Sequence, residues 1–228
     1  MGASCVFAGG QSIDIGSNNP ISGASAFSFA LWLKTTDITA KQYWLGRSYD
    51  SSITVGFDGT STFVHFEVQC TGTGGHFIRQ TDDQISGYMS NNTWVHLAFS
   101  YDYNSGTPII GMYADGVSKA NSNRSWADAV SAVGAGSGNF GVGDTPLAGT
   151  FDFSGNIAYV SMFDKAISSA EVLELMANPE SITQNRVAYW DCLTTSPPDL
   201  SGNGFDGTNN SAAESADGPP IFLSRRAR

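Results

Sequence analysis

The side chains able to do acid–base work in this chain are few, and their spacing decides what they can do. The histidines are His65, His76 and His96. In His65-Phe66-Glu67-Val68-Gln69, alternation puts His65, Glu67 and Gln69 on one strand face, opposite Val64, Phe66 and Val68. A retaining glycosidase needs two carboxylates about 5 Å apart across the scissile bond. On a strand that means acidic residues at alternate positions, and Glu67 has His65 and Gln69 there instead. Glu171 and Glu174 fall in a segment with helical signals, where capping and solvation account for them. The expectation is a protein that is not an enzyme, with glycoside hydrolysis the least favoured function.

Two other groups of residues could bind rather than react. Asp199, Asn203 and Asp206 form one compact oxygen-rich cluster. Calcium is the cofactor such a set suits, although Ca²⁺ asks for 6–8 oxygens. The competing reading is Asx-turn chemistry, in which each side chain bonds nearby backbone. The aromatic residues Trp44, Tyr49, Tyr103 and Trp126 are candidate platforms for a sugar ring. Trp126 follows the polar run Asn121-Ser122-Asn123-Arg124-Ser125, which reads as a loop. By letter, Gly136-Ser137-Gly138-Asn139-Phe140-Gly141 matches a nucleotide-binding fingerprint. No βαβ context surrounds it, so it reads as a glycine-rich turn.

The C-terminal end is a third candidate. Ile221-Phe222-Leu223 is apolar, and Arg225, Arg226 and Arg228 follow it in a chain with only 11 Lys and Arg in all. We expect residues 221–228 to be a docking tail. Phe222 would seat in an apolar groove and the arginines would pair with carboxylates of a neighbouring subunit or capsid protein, or fold back on the chain's own sheet edge.

Composition narrows the partners. A formal net charge of −10 repels nucleic acid and anionic membranes. No apolar run approaches the ~20 residues of a membrane span. The N-terminal residues show no basic and apolar signal segment, so synthesis in the host cytoplasm is expected. Cys5, Cys70 and Cys192 are odd in number and widely spaced, which is neither a disulfide framework nor a metal motif. Free thiols are expected, with Cys5 and Cys192 close together across terminal strands.

These residues must be positioned by strands. Phe27, Phe29, Leu31 and Leu33 share a face; so do Val64, Phe66, Val68 and Cys70, and so do Val95, Leu97, Phe99 and Tyr101. Further strand-like runs are 53–57, 109–114 and 157–163. Asp58-Gly59, Asn104-Ser105-Gly106 and Asp115-Gly116 mark turns between them. One apolar face per strand predicts an all-β, two-sheet antiparallel β-sandwich. A single short helix is expected near residues 168–177, opened by the capping box Ser168-Ser169-Ala170-Glu171 and stopped by Asn178-Pro179. One domain should span 1–220.

Three segments then resemble a known family. Trp94-Val95-His96-Leu97-Ala98-Phe99-Ser100-Tyr101-Asp102, Met112-Tyr113-Ala114-Asp115-Gly116 and Gly155-Asn156-Ile157 through Ser168 resemble, in order and spacing, the laminin-G-like jelly rolls of the concanavalin A-like superfamily. The resemblance implies a lectin-like sandwich. The family's acidic pair after Gly-x-Ile is here Ala158-Tyr159, so no function resting on that pair carries over. Residues 187–208 resemble the strand that usually opens such a domain, displaced to the end. From this, Val187–Leu193 is expected to pair with a first strand running from Cys5 to Ile15.

Domains of this bare type look similar to ones among phage structural proteins. The preferred expectation is a non-enzymatic virion component, a capsid decoration or fibre protein, touching other virion proteins or copies of itself. A carbohydrate-binding lectin module, with surface glycans as partners, is the alternative.

Overall fold

The computed structural model describes residues 4–47, 53–58, 63–70, 75–103, 108–127, 131–134, 138–143 and 152–221. The strands are β1 (Ser4–Ala8), β2 (Ser12–Gly16), β3 (Ala26–Thr35), β4 (Gln42–Arg47), β5 (Ile53–Asp58), β6 (Phe63–Cys70), β7 (Gly75–Thr81) and β8 (Val95–Asp102). They continue with β9 (Ile109–Ala114), β10 (Val117–Ser118), β11 (Asn121–Ala127), β12 (Phe140–Val142), β13 (Ser154–Phe163), β14 (Arg186–Trp190), β15 (Thr208–Asn210) and β16 (Ala213–Ser215). Helix α1 (Ser169–Ala177) lies between β13 and β14.

The strands form two eight-stranded antiparallel sheets. Sheet A runs β10-β9-β8-β3-β13-β1-β16, with β14 also on β13; sheet B runs β11-β7-β6-β5-β4-β12-β2-β15. The alternation read from the sequence is the inner face of this sandwich. Phe27, Phe29, Leu31 and Leu33 from β3 share one core with Val95, Leu97, Phe99 and Tyr101 from β8 and with Val64, Phe66 and Val68 from β6. Phe66 packs edge-on to Phe27 and Phe29, at 5.8 and 6.0 Å between ring centroids. Such offset aromatic contacts add to the area they bury.

The outer face of sheet A is also buried, which the alternation of β3 and β8 does not show. Ala30, Ala98 and Phe163 pack against Val172 and Leu175 of α1. The helix begins as expected: Ser168 Oγ accepts from Glu171 N, and Glu171 accepts from Ser168 N at 2.7 Å. Trp32, Ala158, Tyr159 and Tyr189 form a second outer cluster against Trp94, Leu193, Leu200 and Ile221. The C-terminal chain therefore folds back on its own sandwich as far as Ile221. Phe222, Arg225, Arg226 and Arg228 lie outside the described residues.

Two expectations about the terminal strands are corrected. The segment Cys5 to Ile15 is not one strand: Gly9 and Gly10 take φ values of 83° and 64° and carry the chain from sheet A to sheet B. Positive φ is open to glycine at no steric cost, so the pair breaks the strand. Nor does β14 pair with β1. Both pair with β13, end to end along one edge: β1 with residues 154–157 and β14 with residues 160–163. Ten residues of β13 can hold two short partners. Between them Tyr159 stands at φ 53°, where the pairing of β13 with β3 shifts by a residue. Such a bulge re-aims the strand between its two partners. The chain end then closes this side of the sandwich, β15 pairing with β2 and β16 with β1.

Candidate functional site

The structure separates the candidate residues. Trp44 is fully buried in the core between the sheets, so it is no sugar platform. A bulge in β4 explains the error: the pairing with β5 shifts between Tyr43 and Leu45, which turns both Trp44 and Leu45 inward. Tyr103 is half-buried and packs against the same core. Trp126 belongs to edge strand β11 rather than a loop, and its side chain lies outside the described residues, as does Tyr49.

The oxygen-rich cluster is a loop brace. Asp199 Oδ1 accepts from the backbone N–H groups of Tyr189 (3.0 Å) and Ser201 (2.9 Å). Asp199 Oδ2 accepts from Ser201 Oγ (2.8 Å) and from Phe205 N (3.2 Å). Burial alone would raise this carboxyl, but the donors Ser201, Tyr189 and Phe205 outweigh it and hold Asp199 below the ordinary range. Asp206 Oδ1 accepts from Asp199 N, and Asn203 Nδ2 donates to Val187 O. With four donors on Asp199, these contacts are those of the Asx-turn alternative. Among the described residues no three His, Cys, Asp or Glu side chains group to hold a metal.

The histidines also divide by face. His96, on the outer face of sheet A, is 2% exposed and packs on Trp32 at 5.3 Å between ring centroids. Burial lowers its pKa to about 3, so it stays neutral. His65 lies on the face of sheet B away from its core residues and is also buried, at 6% exposure.

That face of sheet B, turned away from the core, carries a row of polar side chains. Cross-strand pairing sets out one row of Gln80, His65, Gly56 and Tyr43, on β7, β6, β5 and β4. The absence of a side chain at Gly56 is required, because a Cβ there would stand 2.7 Å from Tyr43 Cδ1. Lys41 Nζ sits 5.5 Å from the centre of the Tyr43 ring, within cation–π range. Burial first, and the Lys41 charge second, lower the His65 pKa to about 4. Tyr43 and His65 are largely covered, at 8% and 6% exposure, and His65 stays neutral at neutral pH, while the Lys41 ammonium is half-buried and is the accessible charge of the group.

The next row runs Glu67, Thr54, Gly46, Gly141 and Asp14 across β6, β5, β4, β12 and β2. Gly46 and Gly141, both buried, stand between the two carboxylates in this row. Asn139 Nδ2 donates to Asp14 Oδ2 at 2.6 Å. Glu67 and Asp14 are four strand spacings apart, about 19 Å. Glycosidase carboxylates stand ~5 to 9.5 Å apart, so this pair cannot flank a glycosidic bond. The position of His65 and Glu67 opposite a core-facing run was legible in the sequence. The partnership of Tyr43 with Lys41 was not, because the bulge in β4 reverses the apparent alternation.

Comparison with known proteins agrees with this architecture. A family model described as the concanavalin A-like lectin/glucanases superfamily, of laminin G type, matches residues 7–173. No curated protein matches the sequence. Among solved structures, a candidate carbohydrate-binding protein of Bacteroides ovatus superposes with a TM-score of 0.72 at 15% identity, over 98% of this chain and 62% of that one. The chain thus spans less than two thirds of that protein. A heptameric SAP-like pentraxin of Limulus polyphemus gives 0.55 at 10% identity, over 94% of both chains. The CBM40 of a Ruminococcus gnavus IT-sialidase, bound to α2,3 sialyllactose, gives 0.56 at 15% identity, over 75% of this chain and 95% of that one. At these identities the structural likeness speaks for the fold, and the matched residues 7–173 speak for the family. With its laminin-G-like sandwich of two antiparallel sheets, the chain belongs to the concanavalin A-like lectin/glucanase superfamily.

Proposed function

We propose that this chain is a non-catalytic glycan-binding module and that it binds through the outward face of sheet B. The observation that carries the reading is the half-buried Lys41 ammonium against the Tyr43 ring, with the part-exposed polar side chains of Gln80, Glu67 and Asp14 on the same face of sheet B. Sugar recognition combines a few placed polar groups with an aromatic surface. The ammonium of Lys41 suits saccharides carrying a carboxylate or sulfate. Solved structures of similar fold include a candidate carbohydrate-binding protein and a sialyllactose-bound module, which supports the class without fixing the sugar. The wide separation of Glu67 and Asp14 favours binding over hydrolysis.

The setting expected from the sequence belongs to the same proposal. A module of this kind on a virion, as a phage decoration or fibre component, would attach the particle to surface glycans. That part rests on sequence resemblance and on the apolar–basic tail.

A glycan array carrying neutral, sialylated and sulfated saccharides tests the reading. Binding to a subset of acidic glycans, without release of reducing sugar, is the expected outcome. An array with no ligand, or turnover of a bound glycan, overturns it.

A further inference from the structure

Cys5 and Cys192 are 187 residues apart in sequence and meet in the core. Both are fully buried. Cys5 is held in register on two sides, opposite Ile157 of β13 and Glu214 of β16. Cys192 follows β14, and Asp191 O extends that ladder by accepting from Tyr159 N at 3.2 Å. At Cys192 the backbone turns left-handed, with φ 56°. Cys5 Sγ donates to Thr194 O at 3.1 Å and lies 3.4 Å from Cys192 O. The neighbouring Cys5 thiol, with burial second, keeps the Cys192 thiol well above its ordinary range. Both cysteines are free thiols here.

We propose that Cys5 and Cys192 are a latent disulfide site, which on oxidation ties β1 to the chain leaving β14 at the point where the two strands share the edge of β13. The register of β1 against β13 fixes one partner and the ladder past β14 fixes the other, so the native fold sets the Cys5 sulfur against the backbone of Cys192. Full burial keeps the pair reduced while the fold is closed. Exchange requires a thiolate, and therefore opening of the terminal strands β1 and β16. The oxidant is a low-molecular-weight disulfide such as oxidised glutathione. One cysteine thiolate attacks a glutathione sulfur, breaking its S–S bond and releasing one glutathione thiol. The second cysteine then displaces the other glutathione from the mixed disulfide. Two protein thiols are oxidised, one glutathione disulfide is reduced to two thiols, and the protein loses two hydrogens.

The test uses the full chain at pH 8 with oxidised glutathione and sub-denaturing urea, quenched by alkylation and mapped by non-reducing peptide mass analysis. The expected result is a cross-linked pair of peptides carrying Cys5 and Cys192, a mass about 2 Da lower, and a Tm raised by about 5–10 °C. The same cross-link in Cys70→Ser confirms the pairing independently of the third cysteine. Recovery of Cys5 and Cys192 as separate alkylated or glutathionylated residues after exhaustive exchange overturns the proposal. So does a cross-link through Cys70, or an oxidised protein with a lower Tm.

Discussion

Trp94 Nε1 donates a 3.1 Å hydrogen bond to Asp217 Oδ1, and the same carboxylate takes the ammonium of Lys34 on its other oxygen. Asp217 thereby fastens the C-terminal segment across the outer face of sheet A. Ser4 Oγ, which donates to Asp217 O at 2.6 Å, ties the N-terminal strand to the same point.

The Lys34 and Trp94 donors hold Asp217 below the ordinary carboxylate range. Its contribution is therefore present above the unfolded value near 3.8 and is lost as pH falls below it. Its side chain is 49% exposed, so screening keeps the effect small. Asp217→Ala should cost about 1 kcal/mol at pH 7 and less at pH 2, measured by urea unfolding at both values.

His65 and His96 make a larger demand on pH. Their folded pKa values, about 4 and about 3, lie below the ordinary 6.5. As pH falls, the unfolded chain takes up these protons first. Stability that is complete above pH 6.5 is lost progressively down to about 4 for His65 and about 3 for His96. Between these limits each histidine contributes a slope of ~1.4 kcal/mol per pH unit. Removing either one, as His65→Gln or His96→Gln, should reduce the slope between pH 5 and 6 by about one proton. Thermal unfolding across that range, analysed for proton uptake, checks it.

Asp199 tests the brace against the calcium site. Asp199→Ala leaves the buried N–H of Tyr189 without its acceptor and frees the loop at Ser201 and Phe205. A loss of about 2–4 kcal/mol is expected. Treatment of the wild-type protein with EDTA should leave Tm unchanged, and added Ca²⁺ should not raise it. A calcium-dependent Tm abolished in Asp199→Ala would restore the metal reading.

How far the fold was legible depends on which neighbour covers each face. The core-facing residues of β3, β6 and β8 could be read from alternation, because both sheets press the same inner face. The capping box of α1 was equally plain, since Ser168 and Glu171 satisfy local backbone groups. Trp44 was misread because a one-residue bulge inverts the alternation of β4. The pairing of β14 was misread because resemblance locates a strand but does not choose its partner. The length of β13 and the bulge at Tyr159 made that choice. Burial of Trp32 comes in part from Tyr159, Tyr189 and Ile221, more than 100 residues downstream, a contact no local pattern encodes.

Trp44 and Lys41 should therefore part in behaviour. Trp44→Ala opens a cavity in the core and should cost about 3–5 kcal/mol, read as a lowered urea midpoint. Lys41→Ala, at a half-exposed site, should leave that midpoint nearly unchanged.

Glycan binding is proposed on the face of sheet B that carries Lys41 and Glu67. Its most direct measurement is calorimetric titration of the strongest array glycan into wild type, Lys41→Ala, Glu67→Gln and Glu180→Ala, the last an exposed change outside sheet B. Binding should be about tenfold weaker for Lys41→Ala, weakened less for Glu67→Gln, and of wild-type affinity for Glu180→Ala, all at unchanged Tm. Equal affinity across all four proteins would contradict it and move the site off this face.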